Sequence, residues 1–214
     1  MIPILFQDTR FVVLDKPAGL PVHAGRAGGA SVEDVFPALS RRKDGPWLAH
    51  RLDTDTAGCL VVALRKTALI EAQALFAAGE VEKVYWAVVS GGPAGEAGTI
   101  DAPLRKRTVG RNWRMVVDEV GDAAVSDWCV RGRTADLTWL EVRPRTGRTH
   151  QVRMHCAALG CPVLGDATYG SDGGMLNLLA RSIRLPLDPP VSATAPVPSH
   201  MAKNLVACGY TADP

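Results

Sequence analysis

The sequence predicts an α+β domain with a largely antiparallel sheet. Strand-like runs stand side by side in pairs, as in "AAVSDWCVRG" followed by "ADLTWLEVRP". A few stretches have the Ala, Leu and Glu content of helices, most plainly "KTALIEAQALFAAG". The two kinds of segment follow neither strict β-α alternation nor an all-β series, which leaves α+β.

Taken in order, "RFVVLDKPAGLPVH" reads as a strand and a turn set by Pro17 and Gly19. "GRAGGA" is a glycine-rich loop without the terminal Lys-Ser/Thr of a phosphate cradle. Ser31 with Asp34 resembles a capping box and opens a helix to about Arg42. "HRLDTDTAG" is a loop, followed by a buried strand over Cys59–Leu64. The Ala-rich helix stops at Gly79. "EKVYWAVVSG" alternates along a strand, with Lys83, Tyr85 and Ala87 on one face and Val84, Trp86 and Val88 on the other. After a glycine-rich turn comes a basic loop, "LRKRTVGRNWR", with Arg105, Lys106, Arg107, Arg111 and Arg114 around Trp113. Two antiparallel strands follow, then a helix in "GRTHQVRMHCAALG" capped by Thr149 and closed at Gly160. "CPVLGDATYG" is a loop of turn formers. A strand near Arg181–Leu185, a proline-rich crossing and a helix near His200–Cys208 complete the chain. No internal repeat, charged tail or clean linker interrupts it, so residues 1–214 are expected to form a single domain.

Composition narrows the function classes. Hydrophobic residues make up 47% and charged residues 21%, the balance of a globular protein with a sizeable core. Net charge is only +2, so any nucleic-acid affinity must come from local clusters. No apolar run approaches the roughly 20 residues of a membrane span, and "MIPILFQDTR" does not read as a secretory leader. A cytoplasmic protein is expected, without a membrane partner. The five cysteines are odd in number and form no C-x-x-C pair, which argues for reduced thiols and no zinc site. His155, Cys156 and Cys161 read as buried residues rather than metal ligands.

Three groups of residues could carry chemistry. Asp53 and Asp55 lie two apart in a loop; such carboxylates often cap turns, and their spacing does not make them converge. Tyr85 shares a strand face with Lys83 and Ala87, which suits either core packing or a platform for a nucleobase. "RPRTGRTHQVRMH" carries Arg143, Arg145, Arg148, His150, Arg153 and His155 within 13 residues, an anion site at a helix start. With the basic loop this makes two patches suited to a polyanion, whose binding should weaken with salt.

"HRLDTDTAGCLVVAL", "EKVYWAVV" and "RTGRTHQVRMHCAALGCPVLGDATYG", with "FVVLDKPAGLPVH" before them, resemble in content and order the RluA-type family of RNA pseudouridine synthases. The resemblance covers about residues 11–170. It implies a long bent mixed sheet, mainly antiparallel, with flanking helices and a central RNA-binding cleft. It implies isomerisation of a uridine within RNA to pseudouridine, with no cofactor; ribosomal and transfer RNA are both open as substrates, and a monomer without a metal site is expected. Residue by residue, Asp53 matches the family's essential aspartate, Tyr85 the aromatic that stacks on the target base, and Arg153 the arginine paired with that aspartate. Arg51 matches the arginine that fills the space left by the flipped nucleotide. Arg148 and His150 fall in the same block and are expected to bind substrate; Arg105, Lys106, Arg107 and Arg111 are expected to contact the RNA backbone. Asp55 falls at a variable position, and His50 is structural or supporting. Two departures stand out: Cys161 where relatives usually have histidine, and "LLA" before Arg181 where many have Leu-His-Ala. The first family block begins near residue 11, so no separate N-terminal RNA-binding domain is expected. Two other readings remain: a non-catalytic RNA-binding or ribosome-assembly factor on the same fold, and a metal-assisted hydrolase using His50, Asp53 and Asp55.

Overall fold

The computed structural model describes residues 1–25, 28–42, 44–110, 112–170 and 173–211. It is an α+β fold whose chain divides into two compact units. One unit comprises Met1–Lys83 with Leu179–Pro196, the other Val84–Leu178 with Val197–Pro214.

The first unit is built on β4 (Ala57–Ala63), in which every residue is buried. A short continuous apolar run, "AGCLVVA", suits a strand covered on both faces. β2 (Phe11–Lys16) lies antiparallel to it, from Phe11 opposite Ala63 to Lys16 opposite Gly58. β1 (Ile4–Gln7) extends the edge beyond β2, and the two-residue β3 (Trp47–Leu48) also pairs with β4. β11 (Leu178–Leu185) runs parallel to β4, making the sheet mixed, and β12 (Val191–Thr194) lies antiparallel to β11. α2 (Lys66–Ala78) ends on Gly79 in the left-handed conformation, φ 73°, as its sequence requires. The segment opened by Ser31 is shorter than expected: a single 3₁₀ turn, Val32–Val35, and one turn of helix, α1 (Phe36–Leu39), with Pro37 near its start. The acidic half of the capping box is present, with Ser31 N–H donating to Asp34 Oδ2 at 2.9 Å.

In the second unit β5 (Glu82–Ser90) enters from the first unit at its first two residues and pairs antiparallel with β10 (Leu137–Pro144). β10 pairs with β9 (Val125–Arg133), and β9 with β6 (Ala97–Asp101). Tyr85, Ala87, Leu140 and Val142 pack with Val152 and Cys156 of α3 (Gln151–Ala158). On the opposite face Trp86, Trp139 and Tyr210 meet edge to face. α4 (Ser199–Ala207) is the last helix. The basic segment is not a loop. β7 (Leu104–Val109) and β8 (Asn112–Val117) form a separate two-stranded antiparallel hairpin that turns at Gly110, φ 63°. Leu104 of β7 and Met115 of β8 are buried, while Arg105, Lys106, Arg107 and Arg114 are exposed. No helix among the described residues is long and apolar enough to cross a membrane.

Candidate active site

Asp53 sits on a tight turn just before β4. Its carbonyl accepts the N–H of Thr56 at 3.2 Å. Leu52 and Thr56 are buried on either side, Asp53 is half-buried and Asp55 is exposed. Gly58 follows at φ 109°, where a side chain would collide with the Ala180 carbonyl. Glycine is therefore required for β4 to lie against β11 directly after the turn.

What holds the turn is Lys16, a residue the sequence reading passed over. It is fully buried at the end of β2. Its ammonium donates to the carbonyls of Pro17 (2.9 Å), Leu20 (2.7 Å) and Thr54 (2.8 Å). The Gly19 N–H also donates to Thr54 O, at 2.9 Å. Lys16 thus ties the Pro17–Leu20 loop to the aspartate turn. Burial pulls its pKa down to about 8, against the opposing pull of the Asp55 and Asp53 carboxylates. A lysine closing an apolar strand just before Pro-Ala-Gly was the available clue.

His50 is structural. Its Nε2 accepts the N–H of Val61 at 3.0 Å, and its ring lies 4.8 Å from that of Phe76. Burial first, and then the charge of Lys83, lower its pKa to about 4, so it is neutral at physiological pH. Arg51 is exposed beside it. Lys83 and Tyr85 are both half-buried on β5, and burial brings Lys83 down to about 8.

The arginine-rich block of the second unit is not one anion-binding face. Arg143 bonds Glu141 at 2.9 and 2.8 Å. Arg145 grips Asp127 at 2.7 Å through two nitrogens, which holds the Asp127 carboxyl below its ordinary range. His155 is buried between Ser126 Oγ (2.9 Å) and the Ala102 carbonyl (3.2 Å), and burial lowers its pKa. The helix cap also differs from expectation. His150, not Thr149, is the N-cap of α3, in the left-handed conformation at φ 53°. The Arg148 N–H, expected to face an anion, donates to Gln151 Oε1 at 2.9 Å, while its side chain reaches the Ala123 carbonyl at 3.0 Å. Gln151 has displaced the threonine because its longer amide also donates to Val125 O and Ser126 Oγ, both at 3.0 Å.

Arg153 is buried and makes a two-pronged bond to Asp166, 2.7 Å at each oxygen, with Thr168 Oγ1 at 3.1 Å. Burial alone would raise the Asp166 pKa; Arg153 and the N–H groups of Thr168 and Tyr169 outweigh it and lower it. Asp166 and Tyr169 belong to "GDATYG", read from sequence only as turn formers. Arg107 and Arg114 stand directly opposite each other on the hairpin, both exposed. Like charges facing across strands are unfavourable without an anion between them. Lys106 instead lies 4.4 Å over the Trp113 ring. Arg111 lies outside the described residues. Among the described residues no three His, Cys, Asp or Glu side chains gather as a metal site.

Comparisons with known proteins agree with this arrangement of elements. The model of the RNA pseudouridylate synthase family matches residues 10–158. An uncharacterized RNA pseudouridine synthase of Zymomonas mobilis is 38% identical over 204 residues, covering 91% of this chain and 93% of that protein. The ribosomal large subunit pseudouridine synthase D of Pseudomonas aeruginosa is 38% identical over 78% of this chain and 53% of its own. Among solved structures, human RNA pseudouridylate synthase domain containing 4 superposes with a TM-score of 0.83 at 28% identity, covering 98% of this chain and 94% of that one. The fold and these matches define an isomerase acting on RNA. The chain belongs to the RNA pseudouridylate synthase family, of the RluA type.

Proposed function

We propose that this enzyme converts particular uridines of ribosomal or transfer RNA to pseudouridine, flipping the target nucleotide out of its stack and using Asp53 as the catalytic carboxylate. The observation that carries this reading is the Asp53 turn, which holds a half-buried carboxylate on a backbone fixed by the three carbonyl bonds of Lys16. Reaction geometry must be held to a fraction of an ångström, and such a turn supplies that rigidity. The ribose–nitrogen bond of uracil breaks and a ribose–carbon bond replaces it, so a positioned nucleophile or base suffices.

Tyr85 is the stacking platform, and exposed Arg51 the side chain that enters the gap left by the flipped base. Arg153, its guanidinium seated on Asp166, contributes to substrate binding. Arg148 and His150 contribute to substrate binding, and Arg105, Arg107 and Arg114 contact the phosphates. Five free thiols support a reducing, cytoplasmic setting. The test is Asp53→Asn. Pseudouridine formation on ribosomal and transfer RNA should vanish while RNA affinity stays within about twofold. An active Asp53→Asn enzyme would refute the assignment.

A further inference from the structure

Tyr169 stands where two parts of the second unit meet. Its N–H donates to Asp166 Oδ1 at 3.1 Å, and the Arg153 guanidinium lies 5.3 Å from its ring centre. At the other end of the ring its hydroxyl accepts the N–H of Met115, on β8, at 2.9 Å. The same oxygen is 2.9 Å from His150 Nδ1. A hydroxyl has one proton and two lone pairs, so it can serve both groups at once. His150 carries Trp113 against its ring, 5.0 Å away at 30°, and Trp113 carries Lys106. A run of contacts thus leads from the buried Arg153–Asp166 pair through one phenol to the basic hairpin.

Two features make this more than packing. The β7–β8 hairpin is a two-stranded sheet of its own, and such ribbons are marginal unless something fixes them. Its ties to the fold include the main-chain bond from Met115 to Tyr169 and the packing of Leu104 and Met115 with Met154 and Tyr169. The second feature is His150, which holds a left-handed conformation at φ 53° without being glycine. Strain of that kind persists only where the surroundings impose it, and it gathers at working sites.

We propose that Tyr169 is a positioning residue: its hydroxyl sets the basic hairpin, and its ring seats the Arg153 guanidinium, so that RNA held by the hairpin is registered with Arg153. This rests on the reading that the hairpin arginines grip RNA. The experiment compares Tyr169→Phe and Tyr169→Leu with the unaltered enzyme. Substrates are ribosomal and transfer RNA from cells lacking the gene; kcat, KM, RNA affinity by filter binding and melting temperature are measured.

Tyr169→Phe keeps the ring and loses the oxygen. It should raise KM about tenfold, the scale of one lost hydrogen bond, with a smaller change in kcat and a flatter dependence of KM on salt. Tyr169→Leu loses the ring as well and should lower kcat in addition. Tyr169→Phe with unchanged KM and unchanged RNA affinity overturns the proposal. So does a matching fall of kcat and KM performance in both variants that merely follows melting temperature. If the unaltered enzyme forms no pseudouridine in either RNA, the functional reading fails instead, and filter binding still decides whether Tyr169 sets the hairpin.

Discussion

The Asp53 turn and the Arg153–Asp166 pair hold their charged groups in opposite ways. In the first unit a buried ammonium, Lys16, is surrounded by three neutral carbonyls. In the second a buried guanidinium is matched by a carboxylate. Carbonyl dipoles satisfy every donor of Lys16 but leave its charge uncompensated at close range, so its pKa falls to about 8. Asp166 supplies a full opposite charge, and there the ion pair outweighs burial. The first arrangement fixes a backbone and should respond to pH. The second fixes a side chain and should respond to loss of its partner.

The largest effect is expected where an opposite charge is removed. Asp166→Asn takes the carboxylate from a guanidinium whose side chain is 7% exposed. Breaking such a pair should cost about 3–5 kcal/mol in urea unfolding; a loss under about 1 kcal/mol would place the pair among solvent-screened surface bridges. Gly58→Ala comes next. It forces a left-handed backbone on alanine and a collision with Ala180, at about 2–3 kcal/mol, checked in the same unfolding assay.

Lys16→Met should destabilise by about 1–3 kcal/mol by leaving buried carbonyls unsatisfied, and should lower kcat more than melting temperature explains. It also removes a pH signature. A lysine whose folded pKa lies near 8 binds fewer protons folded than unfolded between about pH 8 and its ordinary 10.5. Lys16 should therefore make the enzyme gain stability as pH rises through that window, with Lys83 adding in the same sense. The gain should shrink in Lys16→Met, and an unchanged slope would contradict a buried ammonium.

The smallest effect on stability belongs to the hairpin. Arg107→Gln should leave unfolding within about 0.5 kcal/mol, since the side chain is exposed, yet reduce the slope of log affinity against log salt by about 1. An unchanged slope would take Arg107 out of phosphate contact.

The same contrast explains what could be read from the sequence. The Asp53 turn is local: "HRLDTDTAG" and the apolar run after it are contiguous, and strand, turn and glycine appear where the pattern puts them. Tyr85 and its face were legible from alternation along β5. The surroundings of Arg153 were not. Its carboxylate lies 13 residues on, in a segment whose Gly, Asp and Thr satisfy every rule for a turn. The row of arginines before it looked like one basic face because Asp127 reaches Arg145 only through strand pairing, and Glu141, which bonds Arg143 from two residues back on the same strand, lies just outside the row. The strands β1, β3, β6 and β12, each five residues or shorter, were missed because edges that short carry little periodicity. The hairpin was read as a loop because residues 105–108 are all exposed, which leaves no apolar alternation there to mark a strand.

Pseudouridine mapping in cells lacking the gene, restored with either the natural sequence or Asp53→Asn, tests the central claim most directly. At least one pseudouridine in ribosomal or transfer RNA should disappear on deletion and return only with Asp53 intact. A site that returns with Asp53→Asn, or an RNA pattern that never changes, would contradict it.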